Sequence, residues 1–150
     1  MKNVIRLLIA PWYLLGGVVH IYLALVHPEI YSNFDSTAWM PAYGVVWHFV
    51  VMPNILFFAV ALAVFELTLG VLLIGSGSPV KYALAASILF NLFLVQLGLS
   101  VPAADWFSDL LMNRLPNLIF IAVQVPLLFC AFERPLVEVV PSLFRKPVHA

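Results

Sequence analysis

The chain has 150 residues, 64% of them hydrophobic and 9% charged, with zero formal net charge and a mean hydropathy of +1.07. Soluble domains carry about a quarter charged residues, so this composition excludes a soluble fold and indicates an integral membrane protein; the neutral balance also argues against a nucleic-acid partner. Cys130 is the single cysteine, so the chain cannot run dithiol chemistry unaided.

In chain order, hydropathy predicts four spans of about 20 residues, the length that crosses hydrocarbon, at 4–26, 53–75, 80–99 and 115–132 of one transmembrane domain covering 1–150. The first follows Lys2 and Arg6. Its apolar run is too long for a signal peptide and no A-x-A-like site follows, so it is expected to stay as a helix, with a kink or a helix start near Pro11. The linking stretch HPEIYSNFDSTAWMPAYGVVWHFVVM mixes turn formers with Trp39, Tyr43, Trp47 and His48. Amphipathic aromatics favour the headgroup layer, which predicts an interfacial or re-entrant segment between helices 1 and 2. Residues 133–150 read as a short cytoplasmic tail.

Basic residues predict the orientation. With the N-terminus cytoplasmic, Lys2, Arg6, Lys81, Arg134, Arg145 and Lys146 lie inside and Arg114 alone lies outside. That bias predicts both termini cytoplasmic.

Helical phase predicts which faces meet. Tyr13, Gly17, His20, Ala24 and His27 share one stripe of the first span, and Ala59, Ala63, Glu66 and Gly70 one of the second. Ala83, Ser87, Asn91, Leu94 and Gly98 align on the third, and Asn117, Ile121, Gln124 and Leu128 on the fourth. Lipid offers polar groups no hydrogen-bond partner, so these faces should turn inward in an all-α, antiparallel four-transmembrane-helix bundle.

Counting about 1.5 Å per residue from the outer ends puts Asn91 and Gln124 near the midplane, Glu66 slightly to the cytoplasmic side, and His20, Gln96 and Asn117 in the outer half. The expectation is a polar string descending to Glu66: either a pocket open to the outside or a hydrogen-bonded core. Interhelical hydrogen bonds explain Asn91, Gln96, Asn117 and Gln124 at about 0.6 kcal/mol each. Glu66 stands apart, because a charged group in hydrocarbon costs several kcal/mol. It is expected to be neutral, or hydrogen-bonded to Asn91 or Gln124. His20, Glu66, Asn91, Gln124 and Asn117 are therefore the candidates for ligand binding or proton handling, whereas Tyr13 and Trp47 read as packing and interface anchors.

Haem is disfavoured. His20 and His27 lie two turns apart on one helix, about 10.5 Å, and cannot sandwich one iron; only His48 could partner either. His27, Glu29, Asp35 and His48 supply metal-type ligands without a characteristic spacing, so no metal site is assigned.

Three features together resemble a known family: a first span with a glycine-rich outer half; a second span, PNILFFAVALAVFELTLGVLLIGSG, that opens at proline and carries Glu66, Gly70 and Gly75; and a fourth beginning near asparagine in NRLPNLIF. Over roughly residues 10–132 the chain is similar to the DoxX and DoxD group of small four-helix membrane proteins. That resemblance implies a membrane component or accessory subunit of a quinone- or sulfur-linked redox system, with a quinone or a redox protein as partner. It also implies functional weight for Glu66, Gly70, Gly75 and Asn117. Many members carry Lys or Arg after the first span where this chain has His20, His27 and Pro28, so an anion site there would depend on protonated histidine. A non-catalytic scaffold, or proton-coupled solute passage through a homo-oligomer using the same Glu66, stays open beside the redox reading.

Overall fold

The computed structural model describes residues 1–143 and contains no strand among them. Four helices are long and apolar enough to cross a membrane: α1 (Lys2–Val26), α2 (Pro41–Ile74), α3 (Ser78–Leu97) and α4 (Trp106–Phe129). A short α5 (Leu136–Leu143) occupies part of the expected tail, and residues 144–150, with Arg145 and Lys146, lie outside the described residues.

Prolines account for the boundaries that differ from expectation. α1 runs unbroken through Pro11 rather than starting there. α2 begins at Pro41 and α4 at Trp106, both well before the expected starts at 53 and 115. In each, a wide π turn absorbs an internal proline: Trp47–Val51 precedes Pro53, and Leu110–Arg114 precedes Pro116. Proline has no N–H and crowds the preceding turn, so the chain switches to bonds five residues back, Met52 N–H to Trp47 O and Leu115 N–H to Leu110 O. Much of the expected interfacial stretch is thereby drawn into α2, while Pro28–Asn33 and Phe34–Thr37 form short separate turns of helix.

α1 packs along α2, α3 packs against α2 and α4, and α5 folds back on α1. Small residues permit the first contact: a methyl group on Gly17 would lie 2.9 Å from the Ala63 carbonyl oxygen, and one on Gly70 would lie 3.1 Å from that of Ala10. The polar and small stripes are largely buried, whereas Leu8, Leu15, Phe57, Val64, Leu89 and Ile119 are exposed on the outside. An apolar exterior around buried polar groups suits hydrocarbon as the solvent.

Two arginines close the ends. Arg6 is fully buried; its Nε and Nη2 donate to Leu73 O at 3.1 and 2.8 Å and Nη2 also reaches Gly75 O at 2.5 Å, satisfying the carbonyls left free at the end of α2. Arg114 does the same for α3, donating to Val95 O and Gln96 O at 2.8 and 3.2 Å while also bonding Thr37 O and pairing with Asp109 at 3.0 Å. Arg114 was expected in an outer loop. It is instead 1% exposed inside α4, because a guanidinium supplies five donors in one plane where a helix terminus presents several acceptors. The same end is stitched further by Trp39 N–H to Gln96 O and by Asn113, whose amide oxygen accepts from Leu99 N and Val101 N.

Candidate functional site

The expected polar string divides into two groups. The first is a closed, directed chain. Asn91 Nδ2 donates to the Tyr13 hydroxyl at 2.9 Å, and Ser87 Oγ donates to Gln124 Oε1 at 2.6 Å. Tyr13 must then donate to Ser87, 2.5 Å away, since each hydroxyl has one proton. Gln124 Nε2 ends the chain on Phe120 O at 3.1 Å. Every member is buried and partnered, so this group ties α1, α3 and α4 together. Tyr13, read from sequence as a packing anchor, is its hub.

Glu66 takes no part in that chain: of the two expected states, neutral or hydrogen-bonded to Asn91 or Gln124, the hydrogen bond does not occur among the described residues. Glu66 is 6% exposed, and its Oε2 is fully buried with no hydrogen-bond partner among the described residues. The oxygen lies in a notch on α1: a methyl on Gly16 would come within 2.6 Å of it, and one turn later His20 Nε2 stands 3.7 Å away. That gap is too long for a hydrogen bond. Behind His20, Nδ1 lies 2.7 Å from the Tyr31 hydroxyl, and Trp47 Nε1 donates to Tyr31 O at 2.7 Å. Burial pushes the Tyr31 hydroxyl up to about 12, with Glu66 adding to the rise, so Tyr31 keeps its proton at neutral pH.

Glu66, His20, Tyr31 and Tyr43 bring polar groups to the wall of a cavity of about 420 Å³. The rest is apolar and aromatic, including Phe34, Trp47, Phe58 and Phe90. Val46 and Phe93 also line it and are partly accessible, Val46 by 52% and Phe93 by 41%. An apolar chamber of this size with a few convergent polar groups is the usual form of a small-molecule site.

Of the five candidates, the structure brings His20 and Glu66 together at the cavity and puts Asn91 and Gln124 in the closed chain. Asn117 is 6% exposed, and its Nδ2 reaches back to Asn113 O at 3.5 Å, away from the cavity. Sequence reasoning missed Gly16 and Tyr31. The four-residue spacing of Gly16 and His20 was a usable signal; Tyr31, in a connector, gave none. The metal-type residues form separate pairs, His27 with Glu29 at 3.1 Å and His48 with Asp35 at 3.5 Å, and no cluster of three occurs among the described residues. Comparison with known proteins returned no matching family model, no matching curated protein and no matching solved structure.

Proposed function

We propose that this protein is an antiparallel four-helix membrane protein of DoxX-like type that holds a lipophilic molecule with a polar head, of the quinone class, as a component or accessory subunit of a redox system in a bacterial inner membrane. One observation carries the reading: Glu66, whose buried Oε2 has no hydrogen bond among the described residues, belongs to the wall of a largely apolar cavity in a protein with four helices apolar enough to cross a membrane. An unpaired polar atom in such a place costs free energy, and a ligand head that pairs with it offsets that cost. The exposed apolar rim at Val46 and Phe93 suits entry from the bilayer.

The proposed orientation keeps both termini cytoplasmic. Arg114, the one basic residue that opposed it, is consumed inside the fold by Asp109 and helix-end carbonyls, and so does not act as a loop charge. Thiol reagents impermeant to the membrane, applied to a variant lacking Cys130 with a cysteine at 105, should label that site from outside; labelling only after the inner face is opened overturns the orientation.

The ligand reading is tested by purifying the protein in mild detergent and identifying co-extracted molecules by mass spectrometry. A quinone-class lipid enriched over a control membrane protein is expected. No enrichment, together with no change in tryptophan fluorescence on adding a decyl-substituted benzoquinone, overturns it, since Trp47 lines the cavity.

A further inference from the structure

Arg6 and Arg114 hold helix ends in the same way, but only one of the two charges is neutralised among the described residues. Arg114 pairs with Asp109 at 3.0 Å. Arg6, fully buried, donates to the neutral oxygens of Leu73, Gly75 and Asn3 and meets no carboxylate among the described residues. A buried charge is ordinarily paired, because its desolvation is otherwise uncompensated. The Arg6 central carbon lies 4.8 Å from the centroid of the Phe132 ring, and the Lys2 ammonium lies 5.9 Å from it. Phe132 and Asn3 belong in turn to the wall of a small pocket of about 150 Å³, together with Lys2, Glu133 and Arg134. Lys2 uses one of its three protons on Ala131 O, and Arg134 makes no hydrogen bond or ion pair among the described residues. Three cations thus gather in or just behind a wall that holds one carboxylate, at the end of the bundle that carries the N-terminus.

We propose that this pocket binds the phosphate of an anionic glycerophospholipid, one of whose acyl chains lies in an apolar groove beside it. The groove, of about 330 Å³, runs between α1 and α5 and includes Leu7, Ala10, Pro11, Ile74, Val137 and Val140. Asn3, Leu7 and Pro11 recur at four-residue spacing, so pocket and groove lie on one face of α1. Ile74 sits between the two residues whose carbonyls hold Arg6, which puts the groove wall next to the buried charge. From Asn3 to Pro11 the helix rises about 12 Å. A charged pocket at the helix end, with an apolar groove leading from it along the span, repeats the order of parts in a phospholipid, and basic residues near the membrane surface attract anionic heads. The site shares no residue with the cavity at Glu66 and stands without the quinone-class reading.

Thermal unfolding of the full chain in mild detergent, titrated with lipid, gives the affinities, since a ligand of the folded state raises the midpoint. The probes are dioleoyl phosphatidylglycerol, dioleoyl phosphatidylcholine and inorganic phosphate. Phosphatidylglycerol is expected to bind about tenfold tighter than phosphatidylcholine, and to lose that advantage at about 1 M sodium chloride, where the screening length is about 3 Å. Lys2→Gln combined with Arg134→Gln should remove the preference. Val140→Trp, which fills the groove and changes no charge, should weaken both lipids about equally. Equal affinity of the two lipids for the natural chain overturns the proposal, as does binding of neither. A preference that survives the double substitution or high salt overturns the assignment to this pocket, and undiminished binding in Val140→Trp overturns the groove. Inorganic phosphate that displaces phosphatidylglycerol more effectively than sodium chloride of equal ionic strength would make the pocket a site for free phosphate and not for a lipid. The salt comparison needs no substitution, so the charge requirement is tested even where a variant fails to fold.

Discussion

Oε2 of Glu66 fits over Gly16 so closely that a methyl group there would stand 2.6 Å from it. The neighbouring Gly17 faces something different, the Ala63 backbone carbonyl at 2.9 Å. A flexible side-chain end can move aside; a backbone carbonyl in a helix cannot. Gly16→Ala is therefore expected to keep the melting temperature nearly unchanged and to displace the carboxyl, weakening binding of the decyl-substituted benzoquinone about tenfold. Gly17→Ala should force α1 from α2 and cost about 1 to 3 kcal/mol. Thermal unfolding of both variants in one detergent checks this, and equal destabilisation would contradict it.

Glu66 itself separates function from packing. Because Oε2 has no hydrogen bond to lose among the described residues, Glu66→Leu is expected to be at least as stable as the natural protein while losing affinity for the decyl-substituted benzoquinone. Glu66→Gln keeps the shape and removes the titratable proton. If Gln retains full binding and activity and only Leu fails, through lost stability, the residue is structural and the site assignment is wrong.

Tyr13 supplies the opposite control. Its hydroxyl links Asn91 to Ser87 but is no part of the cavity wall. Tyr13→Phe is expected to lower stability by about 1 kcal/mol and to leave probe affinity unchanged. A binding loss matching that of Glu66→Leu would mean the two polar groups act as one.

Arg114 makes four contacts through one guanidinium: the end of α3, Thr37 O, Asp109 of its own helix, and the face of the Trp39 ring, 4.7 Å from its central carbon. Lysine keeps the charge but not the planar fork. Arg114→Lys is expected to cost about 2 kcal/mol or more. Limited proteolysis of the connection at 98–105 should accelerate with it, and unchanged cleavage would show that the fork is dispensable.

Asp105 caps α4, its Oδ1 accepting from Ser108 N at 2.7 Å, and that donated bond holds its carboxyl below the ordinary value of 3.8. A lowered folded-state value means the cap stabilises above the ordinary value and is lost as pH falls through the depressed one. Hydrogen exchange at the Ser108 amide, corrected for the intrinsic rate, should therefore lose protection on going from pH 6 to strongly acid solution. Asp105→Asn, which does not titrate, should show no such loss; a parallel change in both would assign the effect to general unfolding.

The amino-acid pattern by itself determined the solvent, the four apolar helices and the phase of their buried faces. Ala59, Ala63, Glu66 and Gly70 share a stripe because helix periodicity is local, and all four are buried. It misjudged the starts of α2 and α4, since Pro53 and Pro116 read as helix breakers until a wide turn absorbs them. It also left Arg6 and Arg114 as surface charges, because the carbonyls they satisfy belong to other helices, 67 residues away for Arg6 and 19 for Arg114. Only the tertiary structure decided how the polar residues divide. Asn91, Gln124, Ser87 and Tyr13 satisfy one another, which leaves Glu66 Oε2 with no hydrogen bond among the described residues, 3.7 Å from His20 Nε2. Which of several polar groups at similar depth will pair depends on ångström-scale distances between helices, and those are set by packing of the whole chain, through residues as small as Gly16, rather than by the periodicity of any one segment.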